Sequence, residues 1–222
     1  MKSIALIAAL ALAPQALMAS ETIELDPTEA FSPTLEADHS GLSFTAGAST
    51  LGATLEAGYR FNNRFGVRVP FGSGEMSYDG DYDGNDFEID AQLGGVGVLA
   101  DFYPFGGGLR LSGGAFNTDY QADFVARDVD FGGYQSDVYG EIRQKEEIAP
   151  AVVLGYDGKI GKHFVVSADV GALFGKGFNV SASESSGQAS QGQIDAEIEE
   201  FRDMAEKAKT LPFVRFSIGM KF

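Results

Sequence analysis

From Leu42 to Phe222 the chain repeats one pattern eight times, with apolar residues at every second position and small, polar or charged residues between them. A period of two puts alternate side chains on opposite faces of a strand, so each such segment separates two different media. The last segment is the cleanest: Val214, Phe216, Ile218, Met220 and Phe222 share one face, and Arg215, Ser217, Gly219 and Lys221 the other. Phe164, Val166, Ala168, Val170, Ala172 and Phe174 likewise oppose Ser167, Asp169, Gly171 and Gly175. Val152, Leu154 and Tyr156 oppose Ala151, Val153, Gly155 and Asp157, while Leu109, Leu111, Gly113 and Ala115 oppose Arg110, Ser112, Gly114 and Phe116. The same reading holds for Val96 to Phe102, Phe65 to Phe71, Leu55 to Phe61 and Leu42 to Ala48. In the fourth segment Phe87, Ile89 and Leu93 are out of phase with Val96, which predicts a β-bulge at Gly94 and Gly95.

These segments have about the length, roughly 9 to 11 residues, that a tilted strand needs to cross a bilayer. Their connections are short near 50–52, 62–64, 104–108 and 157–162, and long at 79–86, 121–146 and 182–210. With the last three short turns at one end and the long loops at the other, the layout predicts an all-β fold. It is an eight-stranded, antiparallel, up-and-down transmembrane β-barrel with short periplasmic turns and long extracellular loops. A soluble barrel of lipocalin type would instead turn its apolar face inward. Two features favour the membrane form. Phe61, Phe65, Phe102, Phe105, Tyr156, Phe164 and Phe222 flank the short turns or the C-terminus, where an interfacial aromatic girdle belongs. The opposite faces carry Glu56, Arg60, Arg68, Asp101, Arg110, Asp169 and Arg215 among glycines, a set suited to a narrow lumen in which acids and bases pair.

Composition removes most other classes. The chain has no Cys, which excludes disulfides, Cys-ligated metals and thiol nucleophiles, and only two His, His39 and His163. A net charge of −16 without any basic run removes the footprint that nucleic-acid binding needs. Residues 1–19 read as a secretory signal peptide, with Lys2, an apolar run from Ile4 to Ala13, and small residues at Ala19 and Ser20. Residues 20–40 read as a flexible periplasmic segment with Pro27 and Pro33, leaving 41–222 as the barrel.

Three motifs invite chemistry. Asp79, Asp81, Asp83, Asp86 and Asp90, with Gly84, match the start of a calcium loop, but the last position is Asp where a bidentate Glu is usual. A solvated acidic hairpin tip is the plainer reading, with weak Ca²⁺ binding beside it and no other cofactor. At residues 188–209, Ile194, Ile198, Phe201, Ala205 and Ala208 recur with helical period, predicting an amphipathic helix in the last extracellular loop. An enzyme would need a His beside a nucleophile at the outer rim, and both His fall at the other end, so no enzymatic activity is expected.

Two stretches carry a family resemblance. The C-terminal run Val214–Phe222 resembles the signal by which outer-membrane barrels are recognised by the insertion machinery, which implies that role for Phe222, Met220, Ile218 and Phe216. The stretch Asp101-Phe102-Tyr103-Pro104-Phe105-Gly106-Gly107-Gly108 resembles a group of small, uncharacterised proteobacterial outer-membrane barrels with a D-aromatic-x-P-F-G-G-G turn after the fourth strand. The resemblance implies a Gram-negative outer-membrane location and the barrel fold, without an activity.

The expected function is a structural or interaction role at the cell surface. Its expected partners are outer-membrane lipid, lipopolysaccharide and the insertion machinery, and the barrel is expected to be a monomer with its lumen mostly closed by paired charges. A narrow gated pore for small solutes or ions is the main alternative, and a secreted lipid-binding barrel a third.

Overall fold

A computed structural model describes residues 40–82, 85–130, 135–161, 163–185, 198–199 and 202–222. The expected signal peptide, nearly all of the segment before the barrel, and His39 lie outside the described residues. The strands are β1 (Gly41–Ser49), β2 (Gly52–Arg60), β3 (Phe65–Tyr82), β4 (Asn85–Phe102), β5 (Leu109–Asp130), β6 (Gln135–Gln144), β7 (Ile148–Ile160), β8 (Phe164–Phe174), β9 (Phe178–Glu184) and β10 (Thr210–Lys221). Antiparallel pairing runs β1–β2–β3–β4–β5–β7–β8–β10 and returns to β1. This is a closed eight-stranded barrel. The seam joins the two ends of the chain: Leu42 and Phe222 exchange backbone hydrogen bonds of 3.2 and 2.8 Å. Around the closed ring, which on β3 reaches Ser73, each strand is paired on both edges.

The far end is built differently from the expectation. Residues 79–82, 121–130 and 135–144, expected as long loops, are strand. β5 pairs with β7 from Leu109 to Asn117 and with β6 from Gln121 onward, and β6 in turn pairs with β9. β6 thus prolongs the line of β7, and β9 that of β8, with interruptions at 145–147 and 175–177. The reason lies in the side chains. Here the apolar half of the alternation faces inward, so Phe87, Ile89, Ala91, Phe124, Val138, Ile142, Phe178 and Val180 form a buried cluster.

This also removes the expected bulge at Gly94 and Gly95. β4 keeps an unbroken register with both β3 and β5 through these residues. What changes at Gly94 is the polarity of each face, not the pairing. Below it Val96, Val98 and Phe102 point outward; above it Phe87 and Ile89 point inward. The register shift that does occur lies on β5, between Ala126 and Val129, beside the positive φ of 54° at Asp128.

Helical residues are described at 198–199 and 202–207, so the helix ends earlier than residue 209. Ile194 and Phe201 lie outside the described residues. Ile198 and Ala205 are fully buried against the far-end cluster. Arg202 donates to the carbonyl of Val180, and Lys145 pairs with Glu206 at 3.0 Å. Among the described residues no helix is long and apolar enough to cross a membrane, which says nothing of the strands.

Candidate functional site

The lumen near the short turns holds an ion-paired cluster to which every barrel strand except β1 contributes. Asp169 of β8 is its hub. It accepts hydrogen bonds from Arg215 Nε (2.7 Å), Arg110 (2.8 Å) and Arg68 (3.3 Å), and Arg215 Nη2 lies in ion-pair contact at 2.6 Å. Arg68 also reaches Asp101 (2.8 Å) and Glu56 (2.9 Å) and donates to the Ser112 hydroxyl (3.0 Å), which itself donates to Asp101 (2.6 Å). Arg215 returns to Glu56 at 2.5 Å, tying β10 to β2 over the intervening β1. Arg110 pairs with Asp157 as well. Charges withdrawn from water survive only with such partners, because an isolated one carries a desolvation cost of several kcal/mol. Arg110 and Arg215 are each 1% exposed.

Backbone register brings them together. Arg215 lies directly opposite Asp169 on the β10–β8 ladder. Arg110 lies opposite Gly155, which lies opposite Asp169 on the other side. With no side chain between them, the guanidinium and the carboxylate meet over the glycine. A Cβ at Gly155 would sit 2.1 Å from an Asp169 oxygen and 2.9 Å from Arg110 Nε.

Arg60 stands apart from the carboxylates. Its guanidinium donates to the carbonyls of Asn62, Asn63, Gly106 and Gly107 at 2.6 to 3.1 Å, binding two short turns together. It also stacks 3.6 Å from the centre of the Tyr103 ring. Burial pushes the Tyr103 hydroxyl above its ordinary pKa, so it remains a donor, and it donates to Asp157 at 3.1 Å. Between this floor and the cluster lies a cavity of about 70 Å³ lined in part by Thr45, Glu56, Arg60, Asp101 and Ser167.

Above the charges the lumen is apolar. Leu51, Leu99, Phe116, Ala151, Val153, Leu173 and Phe213 pack into one cluster, with Phe116 and Phe213 ring centres 5.3 Å apart. The inner-face glycines do not leave open space here. At Gly97 an added Cβ would lie 2.7 Å from the Phe116 ring, so the glycine is where the ring fits.

Asp157, Tyr103, Ser112 and Ser167 belong to the site and were absent from the sequence-derived set. Asp157 shares the inward phase of Val153 and Gly155 in the sequence but stands there at the start of the 157–162 connection, outside the charge set; in the structure β7 runs on to Ile160. Of the acidic calcium-like set, Asp79 and Asp81 lie in β3 and Asp86 and Asp90 in β4, a ladder with Asp79 opposite Glu88, not a loop. Asp90 accepts from Ser77 at 2.6 Å. Asp83 lies outside the described residues, among which no group of three or more His, Asp or Glu is placed to hold a metal. His163 sits in the turn between β7 and β8, where its carbonyl accepts the Lys221 N–H. Phe216, Ile218, Met220 and Phe222 all face outward and are exposed.

Among solved structures, CarO2 of Acinetobacter baumannii has the same fold, with a TM-score of 0.64 at 20% identity over 84% of this chain and 100% of that one. CarO of Acinetobacter baumannii aligns with a TM-score of 0.63 at 21% identity over 82% of this chain and 98% of that one. No protein-family model matches the chain, and no curated protein is significantly similar in sequence.

Proposed function

We propose that the protein is an integral barrel of a Gram-negative outer membrane whose lumen is closed and whose working surface is the far, water-facing end. The observation that carries this is the inversion of polarity along the strands. Near the turns, Phe44, Leu55, Val69, Phe71, Val98, Leu154, Val170, Phe216 and Ile218 face outward and are exposed, while the charges face inward. Such a belt is stable only against an apolar medium. About nine residues per strand, rising roughly 3.3 Å each at a tilt of about 40°, give roughly 23 Å, close to the height of the apolar band of outer-membrane barrels. The seven turn-side aromatics, Phe61 to Phe222, are all exposed, as an interfacial girdle requires. Above the belt the chain obeys the opposite rule, that of a protein in water.

The stacked charge cluster and Phe116–Phe213 layer support closure, since an eight-stranded barrel has an interior just wide enough for its own side chains. The cavity at the turn end favours the second reading, a narrow pore, and the apolar layer above it favours closure. The similarity to CarO and CarO2 supports the barrel fold on which both readings rest. The C-terminal strand, with Phe222 at the seam, is the proposed assembly signal.

Fractionation tests the location. The full-length protein is expected in the outer-membrane fraction, extractable only with detergent and with heat-shifted gel mobility. A chain lacking Phe222 is expected to be exported yet to lose most of the heat-shifted form. Release of the intact protein without detergent would favour the soluble lipid-binding barrel.

A further inference from the structure

The barrel closes only near the turns. β2 pairs with β3 no further than Ser73, whereas β3 continues to Tyr82. Among the described residues nothing pairs with the other side of β3 above that point, so its backbone forms an open sheet edge. The direction of its groups follows from the ladder. The Phe65 carbonyl accepts from Phe61 on the β2 side, and the Arg64 carbonyl from Tyr103 on the β4 side. Backbone groups alternate sides along a strand, and the β3–β4 register stays constant to Tyr82. The N–H and C=O of Glu75, Ser77 and Asp79 therefore point at the open edge.

We propose that this edge, residues 74–81, receives an extended polypeptide segment as an added strand, and that the segment alternates basic and apolar side chains. Edge addition supplies backbone hydrogen bonds, and side chains at alternate positions set specificity. On the outward face the added strand would lie beside Glu75 and Asp79, within a hairpin whose residues 74–92 hold seven acids and no base. Lys or Arg complements that face. On the inward face it would lie beside Met76 and Tyr78, which are 41% and 48% exposed although they point toward the sheet's apolar side. They lack a neighbour on the open edge, and an apolar side chain supplies it. A second copy of this chain is the poorer occupant, because two such edges would set like charges opposite each other.

This deepens the proposed surface role and rests on it. The test uses the refolded full-length barrel in detergent and a blocked synthetic peptide alternating Lys and Val, with binding followed by fluorescence anisotropy. Saturable binding is expected, weakened at least about tenfold by Ser77→Pro, which removes an edge N–H while leaving the β3–β4 ladder intact. The double variant E75K/D79K is expected to weaken it as much. Heat-shifted mobility verifies that each variant is folded. The same peptide N-methylated at alternate residues needs no change to the protein and is expected not to bind. Equal binding by the N-methylated peptide, or by a peptide of the same composition with Lys and Val in separate blocks, overturns the proposal in favour of unspecific attraction. Dimerisation abolished by Ser77→Pro overturns it in favour of a second copy. A silent barrel that binds no peptide refutes the edge alone, whereas a conducting barrel refutes closure and leaves the edge standing.

Discussion

Asp169→Asn is expected to destabilise the folded barrel by about 3–5 kcal/mol, the cost of breaking a buried ion pair by removing one partner. Asp169 is the single carboxylate shared by Arg68, Arg110 and Arg215. Asparagine keeps the shape but removes the carboxylate that all three guanidinium groups share: Glu56, Asp101 and Asp157 still match them in number, yet Arg110 keeps only Asp157 and Arg215 only Glu56 as ion-pair partners. Repacking cannot relieve this, because each arginine is anchored on a different strand of a closed ring. Urea titration of the protein in lipid vesicles, with heat-shifted mobility reporting the folded fraction, measures the change. Asp123→Asn, at an exposed position of the far end, is expected to shift stability by no more than about 0.5 kcal/mol. A loss below about 1 kcal/mol for Asp169→Asn would show that the cluster is reached by water and screened.

Phe116→Ala is expected to cost a comparable amount, about 3–5 kcal/mol, as for other buried phenylalanines truncated to alanine. The ring is 1% exposed, packs against Phe213 and fills the space over Gly97. Neighbours on rigid strands collapse poorly into the void. The double variant with Phe213→Ala is expected to lose less than the sum of the two single losses, since both remove walls of one cavity. The same urea titration reads both. Strict additivity would mean the two rings support separate regions, and a loss near zero would mean the layer is loosely packed.

The barrel was legible because its strands each present one apolar and one small or polar face, and period two survives without any knowledge of pairing. The strand faces near the turns, from Phe44 to Phe222, could be read one residue at a time. The lumen charges were legible as types on an inner face, but their partners were not. That Arg110 meets Asp169 depends on Gly155 lying between them on the intervening strand, a matter of register that one sequence does not encode locally. Arg60 shows the same limit: its charge belongs to the inner face, yet its guanidinium serves turn carbonyls.

The far end was misread for a single physical reason. The rule that the apolar face points outward holds only as far as Gly94, beyond which the apolar residues are buried. Read by that rule, Phe87 and Ile89 are out of phase and predict a bulge, and Phe124, Val138 and Ile142 fall in a segment predicted as loop. One unbroken pleat whose outward face changes from apolar to polar accounts for both. It also leaves β3 without a neighbour above Ser73, the feature on which the docking proposal stands.

Single-channel recording from the refolded protein in a planar bilayer at neutral pH tests the closed lumen most directly. With insertion shown by heat-shifted mobility of protein recovered from the same lipid, the bilayer is expected to remain electrically silent at all applied voltages. Discrete, reproducible conductance steps would contradict closure and show that ions pass the Phe116–Phe213 layer.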